Sequence, residues 1–202
     1  FAHSVASLGD LDGDGITDIA VGARAAPSLN GAETGALHIL FLNADGTEKS
    51  RTILASEESG MPRLGIDGFG TSVAVVEPLN EDGVMVLAVG ANRDSQNGNR
   101  RGAVHILRVD QDGIVQSSTK IGHNLNGGPS LQRYFGTSVA GLGDWNGDNI
   151  ADIVVGEEEA SYFDGTTNQR RVGAAYLIML NADGTAKDVM KLDRSSGIDI
   201  DE

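Results

Sequence analysis

The apolar residues of this chain fall in short runs rich in Val, Ile and Leu, each bounded by Gly, Asn or Asp. That length and punctuation predict β-strands, since a helix would show a longer stripe of 3.6-residue period. In the first third of the chain the runs place strands at about residues 2–8, 17–22, 36–42 and 49–55. Between the last two stands "NADG" at 43–46, and "DQDG" (110–113) and "NADG" (181–184) take the same place further on. These read as hairpin turns in which Gly supplies the positive φ. Four successive strands joined in this way predict an antiparallel sheet.

The same pattern occurs three times. "FAHSVASLGDLDGDGITDIAVGAR" from Phe1 aligns with "FGTSVAVVEPLNEDGVMVLAVGAN" from Phe69 and "FGTSVAGLGDWNGDNIADIVVGEE" from Phe135. A second landmark follows each: "GALHILFLNADGT" at Gly35, "GAVHILRVDQDGI" at Gly102 and "GAAYLIMLNADGT" at Gly173. A fixed period of this size means tandem supersecondary units, here 1–68, 69–134 and 135–202. The polar, Gly-rich stretches 56–68, 122–134 and 193–202 are connections. A lone four-stranded sheet leaves both faces bare, so each unit buries its faces against its neighbours. Small residues in "SVA" (4–6, 72–74, 138–140) suit strands that crowd a common axis. The expectation is an all-β, β-propeller-type arrangement of three four-stranded antiparallel blades, a partial propeller or an open array, because about 4 to 8 blades are needed for closure.

Charge and composition narrow the function. Against 15 Lys and Arg stand 29 Asp and Glu, a formal charge of −14, and such a field repels nucleic acid. No apolar run is long enough to cross a bilayer as a helix, and the first residues carry neither a basic head nor a long apolar stretch. The first residue is Phe rather than Met, as in a processed or excised piece. With no cysteine, disulfides and thiol chemistry are excluded, and compartment must be argued otherwise.

The acidic residues are concentrated between the first two strands of units one and three. In the first loop oxygen donors stand at positions one, three, five and nine, as Asp10, Asp12, Asp14 and Asp18, with Gly15 at the bend and the Ile16 carbonyl to complete the shell. So many hard oxygens suit Ca²⁺, which takes about 6 to 8 of them in a flexible geometry, better than Mg²⁺. Without a cation the carboxylates repel one another. The third unit keeps the pattern as Asp144, Asn146, Asp148, Ile150 and Asp152, with one carboxylate fewer and Asn149 at the bend. Two Ca²⁺ sites are therefore expected, in units one and three. The middle unit has Pro78, Asn80, Asp82 and Val86 at the four side-chain positions, too few donors for calcium. An EF-hand is rejected, since its position twelve would be Val21 or Val155 inside a strand. The remaining alternative is a pair of merely solvated acidic turns.

These residues resemble FG-GAP repeats, the blades of the integrin α-subunit propeller and of bacterial surface proteins. "FGTSVA" (69–74 and 135–140) corresponds to the FG part, and "VGAR" and "VGAN" to the GAP part; "LNADGT" (42–47, 180–185) is similar to bacterial tandem arrays. Departures are Ala2 after Phe1, and Arg24, Asn92 and Glu158 where the family has the GAP proline. The resemblance implies that calcium clips the hairpin between the first two strands. It implies an extracellular or cell-surface setting, because cytosolic free calcium is too low to fill such sites. It implies a non-enzymatic module that binds a protein or glycan ligand, or further copies of itself. Alternatives are a self-assembling filament or surface-layer subunit, and an accessory propeller of a larger secreted enzyme.

Other candidates have plainer readings. His38 and His105 share one repeat position with Tyr176, as a polar ring on a strand face would. His3 and His123 have no nucleophile at triad spacing. Glu157, Glu158 and Glu159 read as a solvated loop, Arg100-Arg101 and Arg170-Arg171 as loop charges, and Trp145 as a cover on the neighbouring blade.

Overall fold

The computed structural model describes residues 1–27, 32–65, 67–77, 82–95, 100–163, 166–169, 171–193 and 196, side chains at 162–163 and 168–169 apart. Three four-stranded sheets follow one another along the chain. The first is β1 (Ser4–Gly9), β2 (Asp18–Ala23), β3 (Ala36–Leu42) and β4 (Glu48–Leu54). The second is β5 (Phe69–Glu77), β6 (Met85–Ala91), β7 (Ala103–Val109) and β8 (Val115–Gly122). A short pair, β11 (Tyr162–Phe163) and β12 (Asn168–Gln169), interrupts the third, formed by β9 (Phe135–Gly143), β10 (Asp152–Glu157), β13 (Ala174–Leu180) and β14 (Ala186–Leu192). Every sheet is an up-and-down antiparallel meander in chain order. Among the described residues there is no α-helix. The expected strands are present; the β11–β12 hairpin is an addition, lying in a polar stretch with no alternation to announce it.

The sheets are stacked face on face. The first strand of each later unit lies against its predecessor: β5 contacts β1, β2 and β3, and β9 contacts β5, β6 and β7. One apolar core, with Leu37, Ile39, Leu54, Phe69 and Leu107, separates sheets one and two, and a second, with Val104, Ile106, Phe135, Ile153 and Ile178, separates two and three. Position in the stack explains burial. Every residue of β6 is buried because both faces of the middle sheet are covered, whereas β1 alternates exposed positions with half-buried ones and one buried residue, Leu8.

The key to each junction is a Phe-Gly step. Phe69 and Phe135 are fully buried, and each forms a parallel bridge to a glycine of the preceding unit, Gly35 and Gly102. Gly70 and Gly136 then turn with φ of 85°, a conformation that glycine alone enters without strain. Each phenylalanine also stands edge-on to a ring of its own unit. The Phe69–His105 centroids are 5.4 Å apart, Phe135–Tyr176 5.6 Å and Phe1–His38 5.1 Å. The shared repeat position of these rings thus has a packing reason. Phe1, with no unit before it among the described residues, is 76% exposed.

Candidate functional site

In unit one the loop between β1 and β2 is folded by its own carboxylates. Asp10 Oδ2 accepts the Gly15 amide at 2.9 Å, Asp12 Oδ1 the Asp14 amide at 3.2 Å, and Asp14 Oδ1 the Ile16 amide at 2.9 Å. Short acidic side chains bond readily to backbone amides a few residues ahead, so this sequence closes a tight loop. Positive φ at Gly13 (79°) and Gly15 (86°) completes the wrap.

Asp18 closes the site from below. It is fully buried at the start of β2; Oδ2 accepts the Leu11 amide at 2.9 Å and Oδ1 the Leu42 amide of β3 at 3.0 Å. Its carboxylate stands in for a ladder carbonyl, and the β2–β3 pairing begins only at Ile19↔Leu40. Carboxylate oxygens of Asp10, Asp12 and Asp18 lie within 4.8 Å of one another. These hard oxygens with lone pairs to spare fit a divalent cation. Asp14, expected as a fourth donor, is turned to Lys49 instead: Nζ is 2.5 Å from Asp14 Oδ2 and 2.8 Å from Asp12 Oδ2. This ammonium, with the Ile16 amide, holds the Asp14 carboxyl below the usual range. Ile16 enters the loop's hydrogen bonding through its amide.

Unit three repeats the scaffold with a thinner donor set. Asp144 accepts amides of Gly147, Asp148 and Asn149 at 2.8 to 3.0 Å. Asn146 Oδ1 accepts the Asp148 amide at 2.9 Å, and Asp148 Oδ1 the Ile150 amide at 3.0 Å. Asp152, fully buried, accepts Trp145 N at 3.1 Å and Leu180 N at 2.9 Å. Lys187 Nζ meets Asp148 Oδ2 at 2.7 Å and holds its carboxyl below the usual range. With Asn146 in place of an aspartate, the trio of clustered carboxylates seen in unit one does not form here among the described residues. Trp145 is 61% exposed rather than covering a neighbour.

In the middle unit Pro78 and Asn80 lie outside the described residues. Val86 takes the place of Asp18, and there β6 continues its ladder through Val86↔Arg108 to Met85↔Val109.

The lysines were missed in the sequence, although the signal was there. Lys49 and Lys187 follow the "DGT" turn at the same distance in the two units with acidic loops, and the middle unit has Gln116. Glu157 also departs from expectation. It is buried, not solvated, and accepts the amides of Gln132 and of Arg133 (2.9 Å) and the Tyr176 hydroxyl at 2.7 Å. Burial, then this carboxylate, pushes the Tyr176 phenol up. Glu159 faces Arg133 and Arg171, and Arg101 reaches His123 and the Leu131 carbonyl. Arg170 lies outside the described residues.

Residues 1–40 match the family model of the FG-GAP repeat. Over 75% of its length the chain is 31% identical to integrin alpha-E of Mus musculus, over 73% it is 33% identical to integrin alpha-E of Homo sapiens, and over 77% it is 28% identical to integrin alpha-5 of Xenopus laevis. It spans only 13%, 12% and 14% of those three relatives.

Proposed function

We propose that this chain, whose first unit is an FG-GAP repeat and whose sheets are integrin-like blades, is a calcium-stabilised, non-enzymatic module for adhesion or protein interaction outside the cell. The observation that carries the reading is the gathering of Asp10, Asp12 and Asp18 at the mouth of a hairpin. Bound there, Ca²⁺ supplies charge neutralisation. The protein's part is to hold the oxygens: Asp18 is anchored to Leu11 and Leu42, and Asp10 to Gly15. Asp144, Asn146, Asp148 and Asp152 offer the second, weaker site, with the carbonyls of Ile16 and Ile150 available to complete each shell. The gain is rigidity of the loops that a partner meets.

The magnitude is modest. At millimolar calcium and a dissociation constant of about 0.1 mM, one site adds about 1.4 kcal/mol to stability. That affinity suits an extracellular medium, and the similarity to integrin alpha chains supports a cell-surface or secreted setting and a protein or glycan partner. Thermal unfolding with calcium and with chelator tests the reading. Calcium should raise the midpoint of the native chain, and Asp10→Asn should remove most of that rise; a midpoint indifferent to both sinks the proposal.

A further inference from the structure

Unit two holds a buried cluster that neither the acidic loops nor the apolar cores use. Lys120, half-buried on β8, stands opposite His105 in the β7–β8 ladder and is ion-paired through Nζ with Asp94 Oδ2 in the loop after β6. Asp94 is 2% exposed and its backbone is fixed, the amide donating to Ala91 O at 3.0 Å and the carbonyl accepting the Gly102 amide at 3.1 Å. A second carboxyl joins them. Asp67, buried in the connection before Phe69, hydrogen-bonds to Asp94 through its side chain. It is held in place by the Gly65 amide, which donates to Oδ2 at 2.8 Å, and by the Arg93 amide, which donates to its carbonyl at 2.8 Å.

Two carboxyls in hydrogen-bond contact hold a proton between them. Burial, and then the Asp94 charge, raises the Asp67 carboxyl above its usual range, which leaves that proton on Asp67. The rings beside the cluster do little for charge: Phe69 stands edge-on to His105, and neither nitrogen of His105 has a hydrogen-bond partner. The other units are built without these parts. Ala26 and Ala160 take the place of Asp94, and their carbonyls still accept the matching glycine amides, Gly35 at 3.0 Å and Gly173 at 3.2 Å. Arg133 stands where unit two has Asp67, and Ile53 where it has Lys120. Lys191 keeps the lysine of unit three but pairs with Asp193, two residues along, at 2.8 Å. The repeat scaffold therefore folds without the three residues that unit two brings together.

We propose that Lys120 and Asp94 become joined, side chain to side chain, by an amide bond, with Asp67 as the catalytic acid. Within the ion pair a proton passes from Nζ to the Asp94 carboxylate, leaving a neutral amine against a neutral acid. The Nζ lone pair attacks Asp94 Cγ, the carbonyl π pair moves to oxygen, and Asp67 protonates that oxygen. The Asp67 carboxylate next takes a proton from Nζ. It gives this proton to one hydroxyl, which leaves as water, and recovers a proton from the other as the carbonyl re-forms. One C–N bond forms, one C–O bond breaks, and no electron transfer or co-reactant is involved. Contact between amine and acid removes the cost of bringing them together, and the neutral amide ends the cost of keeping two ions out of water. The product is a covalent ring that contains β7 and ties the loop after β6 to the fourth strand, independently of calcium.

Mass spectrometry of the chain, incubated folded at neutral pH and then denatured, tests this. Most molecules should weigh one water less than the sequence, and fragmentation of a tryptic digest should show the peptide that begins at Asp94 joined to the one that contains Lys120. Lys120→Arg and Asp94→Ala should restore the full mass. Asp67→Asn, which keeps an acceptor for the Gly65 amide but has no acid proton, should slow the loss of water on the order of a hundredfold. The peptide map needs only the native chain, so it decides the matter even where a variant fails to fold. A native chain that keeps its full mass overturns the inference. So does a missing water that persists in Lys120→Arg, which marks cyclisation at an Asp-Gly step such as Asp67-Gly68 instead. An unchanged rate in Asp67→Asn overturns the role given to Asp67.

Discussion

The middle unit and its two neighbours shape the same hairpin in opposite ways. In units one and three a buried aspartate, Asp18 or Asp152, takes over an amide of the third strand and opens the strands into an acidic loop, with a lysine reaching across from the fourth strand. In unit two an apolar residue, Val86, occupies that place; the ladder runs two pairs further, and Gln116 replaces the lysine. The middle sheet is also covered on both faces. The hairpin there is held by ladder pairs and burial, while the outer units, each with one face uncovered among the described residues, carry charged loops closed by their own side chains.

Covering is the stronger effect, and the phenylalanines test it. Phe69→Ala removes a fully buried ring from a junction and should cost about 3 to 5 kcal/mol, read from urea unfolding. Phe1→Ala, at an exposed ring, should change stability by less than about 0.5 kcal/mol. Similar losses at the two positions would show that the stacked junction is not what holds the sheets.

The aspartate that replaces ladder pairing comes next. Asp18→Ala strands the Leu11 and Leu42 amides, and at about 1 to 3 kcal/mol for a buried unsatisfied group it should cost about 2 to 4 kcal/mol even in chelator. Val86→Ala, by contrast, should cost about 1 to 2 kcal/mol, independent of calcium. If Asp18→Ala is harmless without calcium, the carboxylate serves only the metal and its place in the ladder is incidental.

That double role marks the limit of what the sequence told. Repeats, strands, turns and the acidic spacing were legible because each is written in local periodicity or in residues of one loop. The bond from Asp18 to Leu42, the pairing of Lys49 with Asp14 and the burial of Glu157 under Tyr176 were not, because each joins residues brought together only by the register of the sheet. Only the repeat comparison, with lysine present where the loop is acidic, carried a trace of them.

Histidine separates the middle unit from the first by pH. His105 is buried against Phe69, and burial, with Lys120 nearby and Asp94 opposing, lowers its pKa to about 4 from 6.5. The unfolded chain therefore takes up the proton first. This contribution to stability is full above pH 6.5 and is lost as pH drops toward 4, by about 3 kcal/mol in all. His38, half-buried against the exposed Phe1, is lowered by burial to a smaller degree. Unfolding measured between pH 7 and 5 should be flattened by His105→Phe and only slightly by His38→Phe. Equal slopes in both variants would assign the acid response elsewhere.

The smallest effect is the one most specific to the acidic loops. Lys49 is an internal cation, held by Asp12 and Asp14 with its own pKa raised, and it competes for oxygens that calcium would use. Lys49→Gln, which installs the residue the middle unit carries, should loosen the loop in chelator and tighten calcium binding a few-fold by calorimetry. The gain should be largest at low salt, where screening is weakest. Lys187→Gln should do the same at the third loop, less strongly, since among the described residues Lys187 pairs with one carboxylate, Asp148, where Lys49 pairs with two. A weaker calcium site in Lys49→Gln would mean that the ammonium shapes the donors rather than competing with the ion, and the lysines would then belong to the cage they were thought to oppose.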